Sequence, residues 1–392
     1  MSHSFKAPRG FRFAGITAGI KQSGKKDLGL VLLERPGAMG GVYTKNKFPS
    51  AHVDYCRSLT PTDRFAALVV NSGNANAATG EEGRRRNLEF AQLFADHLDL
   101  HFDQVFTSST GVIGHQLPID TIRTTSKQVI DSLGTDPMPF AEAITTTDLT
   151  TKMAQRSLEI GGESFHILGV AKGSGMIMPN MGTMLAYIFT DAPLPPERIQ
   201  ELTREVADQS FNLVSVDGDS STNDTLMVVT NNPGPTTAYE RTERAILEVA
   251  QELAQMVAAD GEGAEHLIEV SVTSAPDRGI AKRAVMAVLN SPLVKTAVHG
   301  QDPNWGRLMM ALGNGLEPVD GFWHQPVTIS IQGVPVFVAG EPAAFERKQL
   351  SQKMGEFKVR IDIDLAAGES SLVGWGCDLS REYITINADY HT

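Results

Sequence analysis

The stretch Lys172 to Leu185, KGSGMIMPNMGTML, decides how this chain is read. Residues 183–190 (TMLAYIFT) have the short apolar pattern of a buried strand. Ahead of that strand stand Lys172, Gly173, Gly175, Pro179 and Gly182, none of which a core strand requires. Gly182 has no Cβ and tolerates strained backbone geometry, and Thr183 follows it at the start of the strand. A threonine so placed can attack the preceding carbonyl, break the peptide bond and be left with a free α-amine beside its own hydroxyl. That amine, with an ordinary pKa of about 7.7–8.0, can take the hydroxyl proton at neutral pH, which is the N-terminal-threonine form of an activated nucleophile. From spacing alone an ordinary glycine turn leading into a strand is the default reading, with the activated threonine as its alternative.

Outward from this stretch the chain mixes strands and helices. Residues 65–70 (FAALVV) read as a strand closed by the turn-rich segment Asn71 to Gly80. Leu88, Ala91, Phe94, Ala95 and Leu98 recur at three and four and mark one helix face. Residues 105–114 (VFTSSTGVIG) are small, polar and glycine-bounded, and Gly161-Gly162 is a two-residue hairpin signal. Pro195-Pro196-Glu197 opens a helix, and a longer one runs from Glu240 to about Val257 with Ile246, Val249, Leu253 and Met256 on one side. Alternation at 267–273, 327–331, 357–365 and 382–388 predicts half-buried strands. Without regular βαβ alternation, the pattern predicts an α+β layered fold.

Composition removes several function classes. Length gives about two to three domain equivalents, so a large core is available. Lys plus Arg 34 against Asp plus Glu 46 leaves a net charge of −12, which argues against nucleic acid or an anionic membrane face as partner. Apolar runs such as Phe65 to Val70 fall far short of the about 20 residues that span a bilayer. Cys56 and Cys377 allow one disulfide at most and no four-cysteine zinc site, and a cytoplasmic, reducing location is expected. The N-terminal segment holds Lys6, Arg9, Arg12, Lys21, Lys25 and Lys26, the charge pattern of a transit peptide, but Gly10, Gly15, Gly19 and Gly24 would break its helix. It reads as turns and strands.

Standard catalytic signatures are missing. Lys172-Gly173-Ser174-Gly175 lacks the Walker spacing, and residues 217–224 (DGDSSTND) lack the sixth-position glycine and twelfth-position glutamate of a calcium loop. A polar turn is expected there. His97 and His101 have no identifiable third metal ligand, and neither a Gly-x-Ser-x-Gly elbow nor a His-Glu-x-x-His is present. On residue statistics alone Lys172 and Glu262 read as surface charges.

Eight separated blocks, in order, carry a resemblance that spacing does not supply: NSGNANAATG (71–80), SSTGVIG (108–114), TTDLTTK (146–152), KGSGMIMPNMGTML (172–185), SVDGDSSTNDT (215–225), DGEGAEHLIEV (260–270), NSPLVKTAVHGQDPNWGR (290–307) and INADYHT (386–392). Together the sequence closely resembles the ornithine acetyltransferase family, the glutamate N-acetyltransferases, from about Ala7 to the last residue. The family's start near Ala7 removes the transit-peptide reading. The resemblance implies a layered α/β sandwich of the self-cleaving N-terminal-threonine type, cut between Gly182 and Thr183 into an α chain of 1–182 and a β chain of 183–392. It implies that Thr183 takes acetyl from N-acetylornithine and passes it to glutamate in two half-reactions, as part of cyclic arginine biosynthesis.

The same resemblance implies an oxyanion hole at Thr110 and Gly111, and substrate contacts at Thr146, Lys172, Thr183, Glu262, Asn387 and Thr392. It implies no cofactor, no metal and an assembly of two α and two β chains in the cytoplasm. Some family members also draw acetyl from acetyl-CoA, which stands as a second donor here. Gly182 replaces the family's usual alanine and Ala78 the cysteine of many relatives. Rival readings are a self-processing amidase or aminopeptidase, in which water resolves the acyl-enzyme, and a non-catalytic protein that keeps the fold.

Overall fold

A computed structural model describes residues 5–178, 184–234, 239–316 and 325–389. Gly182, Thr183 and Thr392 therefore lie outside the described residues. The first strands are β1 (Phe11–Ile16), β2 (Leu28–Tyr43), β3 (Thr62–Asn74), β4 (Val105–Val112), β5 (Lys152–Ile160), β6 (Glu163–Lys172) and β7 (Leu185–Thr190). They are followed by β8 (Val214–Ser215), β9 (Thr225–Thr230), β10 (Leu267–Ala275), β11 (Thr328–Ile331), β12 (Val334–Val338), β13 (Glu341–Pro342), β14 (Lys358–Asp364) and β15 (Ser370–Cys377).

Two sheets result. The first runs β4-β3-β2-β9-β7-β6-β5 with β1 added to β2, and the second runs β13-β12-β11-β14-β10-β15-β8. The helix Tyr239–Ala259 packs on β5 and β6 of the first sheet and on β8, β10 and β15 of the second. Its Ile246, Val249, Leu253 and Val257 are buried, the apolar stripe that the three-and-four spacing requires. This is the predicted α+β layered architecture. Strand β7 is buried on both faces: Leu185, Tyr187 and Phe189 join one apolar cluster with Phe11, Phe13 and Phe140, while Ala186 and Ile188 join the cluster around the central helix. Strand β14 alternates buried and exposed residues, so one face of the second sheet meets water.

Gly161 and Gly162 turn β5 into β6 as read from the sequence. Residues 105–112, small and polar in sequence, form strand β4, paired in parallel with β3. One expectation is corrected: residues 382–388 are not a strand; they lie in the helix Arg381–Asp389. Ser380 accepts the Tyr383 N–H at 3.3 Å and donates to the Gly263 carbonyl, so a hydroxyl cap starts a helix where a period-two pattern pointed to a strand. Among the described residues no helix is long and apolar enough to cross a membrane.

Candidate active site

At one end of the first sheet Lys172 closes β6, Leu185 opens β7 and Thr225 opens β9, in the register Lys172↔Leu185↔Thr225. A cavity of about 370 Å³ opens there, and its wall contains Thr110, Gly111, Thr146, Lys172, Glu262 and Asn387. The described residues of the expected site are thus brought to one place, from five separate stretches of chain. Asp217, Asn223 and Tyr383, which the sequence did not assign to the site, line it too.

Thr110 and Gly111 owe their position to a bulge. Asn74 on β3 pairs with both Thr110 and Val112, so the register slips at Gly111. Gly111 has φ +132°, and a Cβ there would sit 2.4 Å from the Gly73 carbonyl carbon. Only glycine fits. One residue earlier, Ser109 is held from two sides. Its carbonyl accepts from Asn223 Nδ2 at 2.7 Å, and that same nitrogen donates to the Ala75 carbonyl at 2.7 Å. Its N–H donates to His52 Nδ1 at 3.3 Å, Ser50 Oγ lies 2.6 Å from the same nitrogen, and His52 Nε2 lies 3.2 Å from Thr225 Oγ1. Because the Ser109 N–H requires an acceptor, Nδ1 is bare and Nε2 carries the proton.

His52 is fully buried, and burial pulls its imidazole down to about 3. Its unfolded value is about 6.5, so between pH 6.5 and 3 the folded chain binds fewer protons than the unfolded one. The stability from a neutral His52 is complete above pH 6.5 and is lost on acidification, by about 3 kcal/mol at pH 4. In urea melts, His52→Asn is expected to flatten that part of the pH profile; an unchanged slope would refute the assignment.

Lys172 is buried, with 2% of its surface exposed, which corrects the surface-charge expectation. Its amine donates to Thr146 Oγ1 at 3.4 Å. Burial pulls that amine below its usual value, while Asp148, Asp224 and Glu262 pull the other way. Underneath lies an ionic group that no motif announced. Lys152 Nζ, fully buried, meets Asp148 Oδ1 at 2.6 Å and Asp260 Oδ2 at 2.5 Å. Asp148 Oδ1 also accepts the Gly173 N–H at 2.8 Å, and Oδ2 the Thr146 N–H at 2.9 Å. Burial opposes the charge on Asp148, but Lys152, Lys172 and these hydrogen bonds outweigh it and hold the carboxyl below the usual carboxylate range. One cluster therefore ties down the loop with Thr146, the end of β6 with Lys172, and the turn that leads to Glu262.

The glycine-rich run after Lys172 serves Glu262. A Cβ on Gly175 would lie 2.4 Å from the Glu262 carboxyl carbon, so Gly175 leaves space for that side chain. Ser174 accepts the Glu262 N–H at 3.0 Å through its carbonyl and donates its hydroxyl to the Asp260 carbonyl at 2.7 Å. Asn387 Nδ2 donates to Glu262 Oε2 at 3.0 Å from the helix Arg381–Asp389. Asp217 belongs to the polar turn expected in place of a calcium loop. Its carboxylate accepts the N–H groups of Met176 and Ile177 at 2.5 and 2.9 Å, while burial holds it above the usual range. Met184, the residue after Thr183, donates its N–H to Asp224 Oδ1 at 3.0 Å. A second cavity of about 650 Å³ shares Thr146 and Thr147 with the first and contains Lys21, Asn74 and His115 in its wall.

Chemically, the cavity brings together Thr110 and Gly111, the buried amine of Lys172 and the carboxyl groups of Asp217, Asp219 and Glu262; a cation and carboxyl groups at such close quarters suit a small charged ligand. The sequence matches the family model described as the ArgJ family over residues 12–392. It is 43% identical to the arginine biosynthesis bifunctional protein ArgJ of Deinococcus radiodurans, over 98% of this chain and 97% of that one. The protein of the same name from Gloeobacter violaceus is 41% identical, over 98% and 97%. A crystal structure of the Bacillus halodurans protein aligns at 33% identity and TM-score 0.49, over 53% of this chain and 100% of its own.

Proposed function

Because the chain belongs to the ArgJ family, we propose that it is an acetyltransferase of arginine biosynthesis that moves acetyl from N-acetylornithine to glutamate through Thr183. The observation that carries this reading is the convergence of Thr110, Gly111, Thr146, Lys172, Glu262 and Asn387 on one cavity, at the strand end from which Met184 leads back to Thr183. Cleavage between Gly182 and Thr183 yields chains 1–182 and 183–392 and frees the Thr183 amine. That amine takes the hydroxyl proton, the oxygen attacks the acetyl carbonyl of N-acetylornithine, and the amine returns the proton to the departing ornithine nitrogen. Glutamate then attacks the acetyl ester by the reverse path.

Each half-reaction passes through a tetrahedral oxyanion, for which the Gly111 N–H and Thr110 are the assigned donors. One such donor is worth about 10²–10³ in turnover. Lys172 meets a substrate carboxylate, while Glu262, which accepts from Asn387, or Thr392 balances the ornithine ammonium. Lys172→Met is expected to raise KM for both substrates in steady-state assays; an unchanged KM for either would remove Lys172 from the binding role. The reaction itself is tested by varying glutamate at several N-acetylornithine concentrations. Parallel reciprocal plots are expected for one acyl-enzyme shared by two half-reactions, and intersecting lines would contradict it. The proposed assembly is two of each chain, in the cytoplasm.

The second cavity favours one further reading. It gives a donor larger than N-acetylornithine somewhere to extend beyond Thr146 and Thr147, and acetyl-CoA is such a donor. Formation of N-acetylglutamate from glutamate and acetyl-CoA alone tests it. Acetyl release to water without dependence on glutamate would instead favour the amidase class.

A further inference from the structure

Glutamate, the proposed acceptor, carries two carboxylates, and the first cavity answers them with one cation. Among the described residues in its wall, Lys172 stands with the acids Asp217, Asp219 and Glu262. That balance suits the ammonium of ornithine and opposes a second carboxylate. Another amine lies next door, because the adjoining cavity shares Thr146 and Thr147 with the first and has Lys21 in its wall. Lys21 belongs to the cationic run Lys21, Lys25 and Lys26, for which acetyl transfer as described has no use; Lys26 pairs with Glu142.

The fold builds a fixed place for Lys21. The fully buried Asp27 carboxylate accepts the Ala18 N–H at 2.6 Å through Oδ1, and those of Gly19, Ile20 and Lys21 at 3.2, 2.6 and 2.8 Å through Oδ2. Four hydrogen bonds to one carboxylate order that loop. The lysine stem then crosses Gly73, which has φ +96°, and a Cβ there would sit 2.9 Å from Lys21 Cγ. Gly73 is also the residue whose carbonyl carbon leaves Gly111 no room for a Cβ, so Lys21 stands one glycine away from the proposed oxyanion donor. Lys21 Nζ donates to the Lys26 carbonyl at 2.7 Å, which uses one of the three N–H groups of an ammonium and leaves two for a ligand. Asp389, the acid in the same wall, sits exposed at the end of the helix Arg381–Asp389, where water screens it.

Resting on the reading of glutamate as acceptor, we propose that Lys21 is an acceptor-specificity residue, which binds one carboxylate of glutamate while Lys172 binds the other. Glutamate then spans the border at Thr146 and Thr147 between the two cavities. N-acetylornithine has a single carboxylate and needs Lys172 alone, so Lys21 acts in the glutamate half-reaction and not in the first one. The two ammonium groups repel each other, and a dicarboxylate set between them removes that cost.

The test uses steady-state kinetics of the full-length protein with both substrates varied. When two half-reactions share one acyl-enzyme, kcat/KM for each substrate reports its own half-reaction, so N-acetylornithine serves as the internal control for folding. Lys21→Met is expected to lower kcat/KM for glutamate by about tenfold or more, the worth of a hydrogen bond to a charged group, and to leave kcat/KM for N-acetylornithine unchanged. Lys21→Gln, a second neutral variant with a polar end, is expected to show the same split. Lys21→Arg keeps the charge and is expected to recover most of the glutamate value. Equal losses with both substrates, equal losses in the Met and Arg variants, or a loss seen only when acetyl-CoA is the donor would each overturn the proposal; the last would assign Lys21 to the larger donor. A wild-type protein that makes no N-acetylglutamate from N-acetylornithine and glutamate would overturn the acceptor reading itself, which separates the two failures.

Discussion

Thr183→Ala is expected to leave the chain in one piece and to lower acetyl transfer by about 10⁶-fold, the loss typical of removing a nucleophile whose partners act as a unit with it. Both effects come from one atom. Without the hydroxyl oxygen no bond forms to the Gly182 carbonyl, so the α-amine is never freed. Without the oxygen and the amine there is neither a nucleophile nor its base. The proposed oxyanion donors and the proposed substrate contacts at Lys172 and Glu262 remain, and they are expected to leave a residual rate and substrate binding. Thr183→Ser keeps the oxygen and is expected to cut and turn over measurably, which separates the chemistry from loss of packing by the methyl group. Intact mass and a coupled assay for N-acetylglutamate read both results; an alanine variant that is cut, or that keeps more than a trace of activity, would contradict the assignment.

Lys152→Met is expected to destabilise the fold by about 3–5 kcal/mol, the range for removing one partner of a buried ion pair. The cation is fully enclosed between Asp148 and Asp260, and methionine fills its volume but supplies no charge. Two carboxylates would then face each other with only Lys172 nearby. The variant is expected to bind substrate poorly as well as melt early, because Asp148 also fixes Thr146 and Gly173. Acid reverses part of the damage. In the wild type Asp148 has a lowered pKa, so its stabilising share is complete above the unfolded value of about 3.9 and fades as pH falls through its lower folded value. In the variant Asp148, without the Lys152 charge that holds it low, takes up a proton at higher pH and the repulsion goes with it. Urea melts at neutral pH and at about pH 4 are therefore expected to show a gap between wild type and variant that narrows on acidification; a constant gap would mean that the loss is one of packing.

How far the sequence could be read depended on where the physical cause lies. Strand β7 and the helix Tyr239–Ala259 were legible because apolar periodicity is local, and the Gly161-Gly162 hairpin because two glycines specify that turn. Thr110, Gly111, Thr146, Lys172, Glu262 and Asn387 were legible only through the family blocks; nothing in their spacing brings them together. Asp148, Lys152 and Asp260 were missed because a buried charge looks in sequence like a surface one, and the Lys152 to Asp260 pair joins residues 108 positions apart. His52 was missed because its partners Ser109 and Thr225 lie on strands β4 and β9, which meet only in the fold. The segment 382–388 misled because a period-two pattern of seven residues also fits two turns of helix, and the Ser380 hydroxyl decides between them.

The most direct test of the central claim is intact-mass spectrometry of the wild-type protein after incubation with N-acetylornithine in the absence of glutamate. Two chains ending at Gly182 and beginning at Thr183 are predicted, with the second heavier by one acetyl group, which is lost again when glutamate is added. A cut chain that never gains the acetyl group, or an acetyl group found on a residue other than Thr183, would contradict the account.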